Sequence, residues 1–296
     1  MKELMKKSLY LILVSLFVAG LGRTLACTNL IVGKKASKDG SVMISYSCDD
    51  YGAFGFMNWQ PGGTHKKGEM RPLYHYESNN YLGEIPEAKQ TYSVIGLMNE
   101  FQLTIHETTF GGREELEDTT GLFDYGSLMY VTLQRARNAR EAIKVMGELV
   151  EKYGYCTNGE SFSIADPNEV WILEMIGKGP GRKGAVWVAV RIPDDCISAH
   201  ANQSRIRQFP LKDKENCIYS KDVISFAREK GYFNGKDEEF SFQAAYAPTD
   251  FGAQRFCEAR VWSFFNRWAA EDMKPYLGYA MGESGAAPMP LYVKPK

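Results

Sequence analysis

After residue 26 the apolar positions fall in short, interrupted runs, and their spacing changes character twice along the chain. Residues 28–33 and 41–46 are runs of branched residues, the signature of half-buried strands, and Lys38-Asp39-Gly40 between them predicts a hairpin turn. A second pair, 92–97 and 102–108, is predicted around Met98-Asn99-Glu100. Between the two pairs, residues 51–88 are rich in Gly, Pro and Tyr and read as loops with one short strand near 73–76.

The period then lengthens. Residues 125–137 and 140–153 carry apolar side chains at helical spacing, among them Leu128, Val131, Ile143, Met146 and Val150. Asn138, with Glu141 three residues on, predicts a capping box for the second helix, and Gly154 its stop. Residues 161–165 and 169–175 flank Asp166-Pro167-Asn168, strong turn chemistry for a hairpin, and 185–191 and 196–200 continue the sheet. Residues 220–230 predict a helix capped by Ser220 and stopped by Gly231, and residues 254–270 predict another. Strands, two helices, strands and helices predict an α+β fold, a mostly antiparallel sheet covered by helices.

Composition bounds the function. Lys+Arg is 35 and Asp+Glu is 36 in 296 residues, with 44% hydrophobic positions. Such a chain can bury a sizeable core, and it has no basic stripe for nucleic acid. Its first 26 residues hold Lys2, Lys6, Lys7 and Arg23 against Glu3, so the rest carries a net charge of −4. Those residues join a basic start to the apolar run SLYLILVSLFVAGLG, 15 residues where a membrane span needs roughly 20. Ala26 then supplies a small residue before Cys27. The pattern predicts a signal peptide over 1–26, export to the periplasm or beyond, and a mature chain beginning at Cys27 with no stable membrane association. The six cysteines (Cys27, Cys48, Cys156, Cys196, Cys217 and Cys257) are scattered with no C-x-x-C, so no zinc site is expected.

An N-terminal cysteine carries a thiol and an α-amine, the latter with a pKa of about 8, so one residue provides both nucleophile and base. The competing readings of Cys27 are a lipidated anchor on a surface binding protein and a structural cysteine. The lipidation signal is imperfect, with Thr24 where Leu is favoured and Leu25 one place late.

Cys27-Thr28-Asn29-Leu30-Ile31-Val32-Gly33, followed by Ala36-Ser37-Lys38-Asp39-Gly40-Ser41, resembles the opening of the secreted bacterial cysteine dipeptidases. These are N-terminal-nucleophile hydrolases related to bile-salt hydrolases and penicillin V acylases. The resemblance continues through Asn99-Glu100-Phe101, Glu107-Thr108-Thr109-Phe110-Gly111-Gly112-Arg113, Gly159-Glu160-Ser161-Phe162, His200-Ala201-Asn202-Gln203-Ser204-Arg205 and Arg255-Phe256-Cys257-Glu258-Ala259-Arg260. It covers residues 27 to 268.

The resemblance implies a four-layer αββα sandwich and hydrolysis of dipeptide amide bonds through a Cys27 thioester, with small peptides as partners and no cofactor or metal. Cys27 would be nucleophile and base, Asp49 would hold the α-amino group, Asn202 would donate to the oxyanion, and Arg260 would stabilise charge or position substrate. Thr108 and Thr109 would border the substrate and lend a backbone donor. Tyr46 stands where relatives usually carry arginine, offering a hydrogen bond in place of a fixed charge. His106 and His200 are expected to be structural, since an N-terminal cysteine needs no histidine base. Relatives run longer at the C-terminus, so residues 27–296 are expected to be the hydrolase domain without the family's last part, and self-association is left open. Acylase activity on an N-acyl amide is the alternative within the enzyme class.

Overall fold

The computed structural model describes residues 26–49 and 57–296. The predicted signal peptide therefore lies outside the described residues, apart from Ala26. Along the chain come β1 (Ala26–Val32), β2 (Met43–Asp49), β3 (Trp59–Gln60), β4 (Gly63–Thr64), β5 (Met70–Tyr74), β6 (Tyr81–Pro86), β7 (Gln90–Thr91), β8 (Val94–Ile95), β9 (Met98–Asn99) and β10 (Thr104–Gly111). Two helices follow, α1 (Tyr125–Leu133) and α2 (Ala139–Tyr153), then β11 (Gly159–Ala165), β12 (Val170–Gly177), β13 (Ala185–Ile192), β14 (Ile197–His200) and β15 (Cys217–Tyr219). The remainder is α3 (Val223–Glu229), α4 (Phe242–Tyr246), α5 (Ala259–Trp268), α6 (Ala270–Met273), α7 (Leu277–Ala280) and β16 (Tyr292–Val293).

The fold is α+β with antiparallel sheets. A four-stranded sheet runs β16-β14-β1-β2 and an eight-stranded one β15-β13-β12-β11-β10-β9-β8-β3, beside the two-stranded ribbons β4-β7 and β5-β6. Side-chain alternation explains how the sheets pack. Along β1, Ile31 is buried with Val170, Ile172 and Val188 of the large sheet, while Leu30 and Val32 pack with Val261 and Phe265 of α5. Along β12, Val170, Ile172 and Ile176 join that first cluster, and Trp171, Leu173 and Met175 face Ile143, Met146 and Val150 of α2. Truncating one of these fully buried aliphatics to Ala would cost about 2–5 kcal/mol.

Several expectations need correction. Residues 57–88 hold the ribbon β5-β6 together with β3 and β4, where loops and one short strand near 73–76 were expected; β5 and β6 were hidden because only Leu73 and Ile85 of their residues are buried. The predicted pair over 92–108 is really three strands, β8, β9 and β10, since Asn99 Nδ2 bonds the carbonyls of Leu133 and Ala136 and turns the chain inward. Strand β14 leaves the large sheet and pairs with β1, Asn29 facing His200. Helix α1 ends at Leu133 and is capped by Asp124, whose Oδ1 accepts from the Gly126 and Ser127 nitrogens. Asn138 caps α2 as expected, but Glu141 reaches back to the nitrogen of Arg137 rather than of Asn138. Ser220 does not cap α3; its hydroxyl accepts from the Trp187 nitrogen instead. The predicted helix over 254–270 begins as a π-helical stretch, Ala253–Glu258, before α5.

Candidate active site

Cys27 lies near the start of β1, half-buried, with its backbone held on both sides. Its nitrogen donates to Asn202 Oδ1 at 2.7 Å, and its carbonyl accepts from Arg260 Nη1 at 2.6 Å. The same Nη1 donates to Thr28 Oγ1 at 2.9 Å, while Nη2 donates to the Ala201 carbonyl and to Asn202 Oδ1, each at 3.0 Å. Arg260 Nε is fixed by the Phe256 carbonyl inside the π-helical stretch, and such stretches recur at functional sites.

Asn202 sits at φ 57°, the left-handed region that Asn enters more readily than most residues. Its Nδ2 donates to the Thr109 carbonyl at 2.8 Å. The loop carrying it is anchored by buried Glu174, which accepts from Ser204 Oγ and from the Arg205 and Ile206 nitrogens. Burial pushes the Glu174 carboxyl up to about 7. Arg205 adds a fully buried ion pair to Glu258 at 2.9 Å and bonds to the carbonyls of Ala199, Pro290 and Leu291.

Two carboxyls complete the surroundings. Thr109 faces Glu160 across β10 and β11, and Glu107 is two residues before Thr109 on the same face, so the two acids are diagonal neighbours. Glu107 is 2% exposed and Glu160 0%. Tyr46 donates its hydroxyl to Glu107 Oε1, and Thr109 Oγ1 donates to Glu160 Oε2 at 3.0 Å. Burial pushes both carboxyls up, and the Glu107 charge adds to the rise at Glu160. Burial first, then the Glu107 charge, pushes the Cys27 thiol far above its ordinary value. The site therefore keeps Cys27 as a thiol.

Of the residues expected from sequence, Cys27, Asn202, Arg260 and Thr109 form one hydrogen-bonded network. Tyr46 instead donates to Glu107, the diagonal neighbour of Glu160. Asp49 lies at the end of β2 opposite Ala26, exposed and bonded to Ser47 Oγ at 3.0 Å; the acceptor at the Cys27 nitrogen is Asn202. Thr108 points away, its hydroxyl 2.7 Å from His200 Nδ1. His200 also meets Ser163 Oγ at 2.7 Å, and burial pushes its ring down to about 3. Burial likewise lowers His106 to about 4, so both rings are neutral at pH 7.

Sequence reasoning assigned no role to Glu107, Glu160 or Cys48, the last of which faces Cys27 directly across β1 and β2. A glutamate in a run of otherwise buried strand residues was the available signal for the first two. Among the described residues no group of three or more His, Cys, Asp or Glu side chains is arranged to hold a metal ion. A cleft of about 460 Å³, lined in part by Asn202, Phe110, Gly112, Ala247 and Phe256, opens beside the network, within the roughly 300–1,000 Å³ range of small-ligand sites. A larger cleft of about 630 Å³ between Arg140, Trp187 and Asp222 has no cysteine in its wall.

Comparison with known proteins gives a consistent picture. The family model described as Peptidase family C69 matches residues 26–60 and 61–296. A "Probable dipeptidase" of Salmonella dublin is 31% identical over 267 residues, 82% of this chain and 58% of that protein. A "Probable dipeptidase" of Latilactobacillus sakei is 27% identical over 80% of this chain and 52% of its own. A "Probable dipeptidase A" of Streptococcus pyogenes serotype M3 is 28% identical over 85% of this chain and 57% of its own. The chain thus spans little more than half the length of these relatives.

Proposed function

The chain belongs to peptidase family C69, and from that premise we propose that it hydrolyses the amide bond of dipeptides with Cys27 as an N-terminal nucleophile. The observation carrying this reading is the double hold on Cys27, its nitrogen on Asn202 and its carbonyl on Arg260. The names of the relatives supply the substrate class.

Cleavage after Ala26 during export frees the Cys27 amine. Asp49, the cross-strand partner of the departed Ala26, is then left facing the new terminus as its counter-charge. The amine takes the thiol proton as Sγ attacks the substrate carbonyl carbon, and the carbonyl electron pair moves onto oxygen. Asn202 Nδ2 carries two hydrogens, one on the Thr109 carbonyl and one for this oxyanion. Collapse breaks the C–N bond, the leaving nitrogen takes the proton from the amine, and a thioester remains. Water, deprotonated by the same amine, resolves it to the free acid and thiol. With α1 and α2 outside the large sheet and α5 outside the small one, the layers read as an αββα sandwich.

The test is hydrolysis of a dipeptide panel by protein beginning at Cys27, with Cys27→Ala alongside. Turnover of free-amine dipeptides that vanishes in the variant is the expected result; turnover surviving in it overturns the nucleophile. Cleavage confined to N-acyl amides would mean an acylase. An exported chain heavier by an acyl group at Cys27 would mean a lipidated binding protein.

A further inference from the structure

We propose that Cys27 and Cys48 form a reversible cross-strand disulfide that blocks the nucleophile when the protein meets a disulfide oxidant. The inference rests on the reading of Cys27 as nucleophile for its consequence, but not for its chemistry. The two residues are register partners in the antiparallel pair of β1 and β2. Directly opposed residues stand about 4.5 to 5.5 Å apart at Cα, inside the roughly 4.4 to 6.8 Å that a disulfide spans. Opposed residues also share a face, here the one carrying Asn29 and Ile31 on β1 with Tyr46 and Ile44 on β2.

Access differs between the two. Cys48 is exposed and Cys27 half-buried, so an oxidant in solution meets Cys48 first. The Cys48 thiolate attacks a small disulfide RSSR, forming Cys48–S–SR and releasing RS⁻. The Cys27 thiol then gives up its proton to base as its sulfur attacks the Cys48 sulfur, displacing the second RS⁻. Both protein thiols lose a proton, RSSR is reduced to two RSH, and the new bond joins Sγ to Sγ. Neither Asn202 nor Arg260 needs to move, because both hold the Cys27 backbone. The remaining cysteines (Cys156, Cys196, Cys217 and Cys257) are buried or half-buried.

The experiment treats the full protein with oxidised glutathione, counts thiols, and maps peptides without reduction. Loss of two thiols, a mass lower by about 2 Da and a linked pair of peptides bearing Cys27 and Cys48 are expected. Dithiothreitol should restore both thiols. Cys48→Ser should keep reduced turnover and form no intramolecular link. Turnover of the parent protein should fall at least about tenfold on oxidation and return on reduction. A stable glutathione adduct on Cys48 with Cys27 still free, or a link to any other cysteine, overturns the proposal. If the hydrolase reading alone fails, the link forms in a protein without turnover; if the pair alone fails, turnover is present and unaffected by oxidant.

Discussion

Replacing Arg260 by lysine keeps the charge and removes the fork. The guanidinium makes five hydrogen bonds, to the carbonyls of Phe256, Cys27 and Ala201, to Thr28 Oγ1 and to Asn202 Oδ1. A single ammonium can reproduce one or two of these, because its donors radiate from one atom rather than lying in a plane. Hydrogen bonds from a charged donor contribute about 1.5–3 kcal/mol each when isolated, less here because the group is partly exposed and its bonds act as a unit. A net stability loss of about 1–2 kcal/mol is expected, readable as a shift in denaturant midpoint. The catalytic effect should be larger. Arg260 ties the Cys27 carbonyl and the Asn202 amide to one rigid group, and misplacement by about 1 Å can cost on the order of 100-fold. Neither tie touches substrate, so Arg260→Lys should lower kcat about 100-fold with KM within about threefold. Dipeptide hydrolysis on protein starting at Cys27 gives both constants. An unchanged kcat, or a rise confined to KM, would refute the idea that the fork positions the nucleophile.

Three other outcomes follow from buried charge. Arg205→Met leaves Glu258 ionised and unpaired, so stability should fall by about 3–5 kcal/mol at pH 8. The same change in a Glu258→Gln background should cost roughly half as much or less, and equal losses in thermal denaturation would contradict the coupling. Glu174 has a folded pKa of about 7 against about 4.5 unfolded, so the folded state holds the extra proton. Stability from this group is therefore present below pH 4.5 and lost as pH rises through 7, by about 3 kcal/mol in all. Glu174→Gln should flatten denaturation curves measured across that window, and an unaltered slope would count against the assignment. The double change Glu107→Gln with Glu160→Gln removes the negative charge nearest the thiol. Alkylation of Cys27, followed by peptide mass against pH, should then show thiolate appearing about one pH unit lower, the effect of a unit charge within about 10 Å. No movement would exclude the carboxyl pair as the source of the raised thiol.

Where local chemistry decided the structure, it could be read from the residues. Asp166 holds the turn before β12 by accepting from the Asn168 and Glu169 nitrogens, and Asn138 caps α2, both matching the expected elements. Where distant register decided it, local signals were silent. A turn centred on Asp39 would have set Cys27 opposite Tyr51, whereas the longer loop between β1 and β2 sets it opposite Cys48. Cys27, Asn202 and Arg260 were visible through the family resemblance, not through spacing. Glu107 and Glu160 look like solvent-facing strand residues until β10 and β11 are paired and their shared face is buried.

The bond from Arg260 to the Cys27 carbonyl closes a loop of 233 residues. At about 5–20 residues per second, a ribosome needs roughly 10 to 50 s to deliver Arg260 after Cys27 has emerged. Over that interval β1 also lacks β14, so the first strand to be synthesised is among the last to find its place. Synthesis thus delivers Cys27 long before the residues that hold its backbone, and the newborn chain carries that cysteine in an unassembled state.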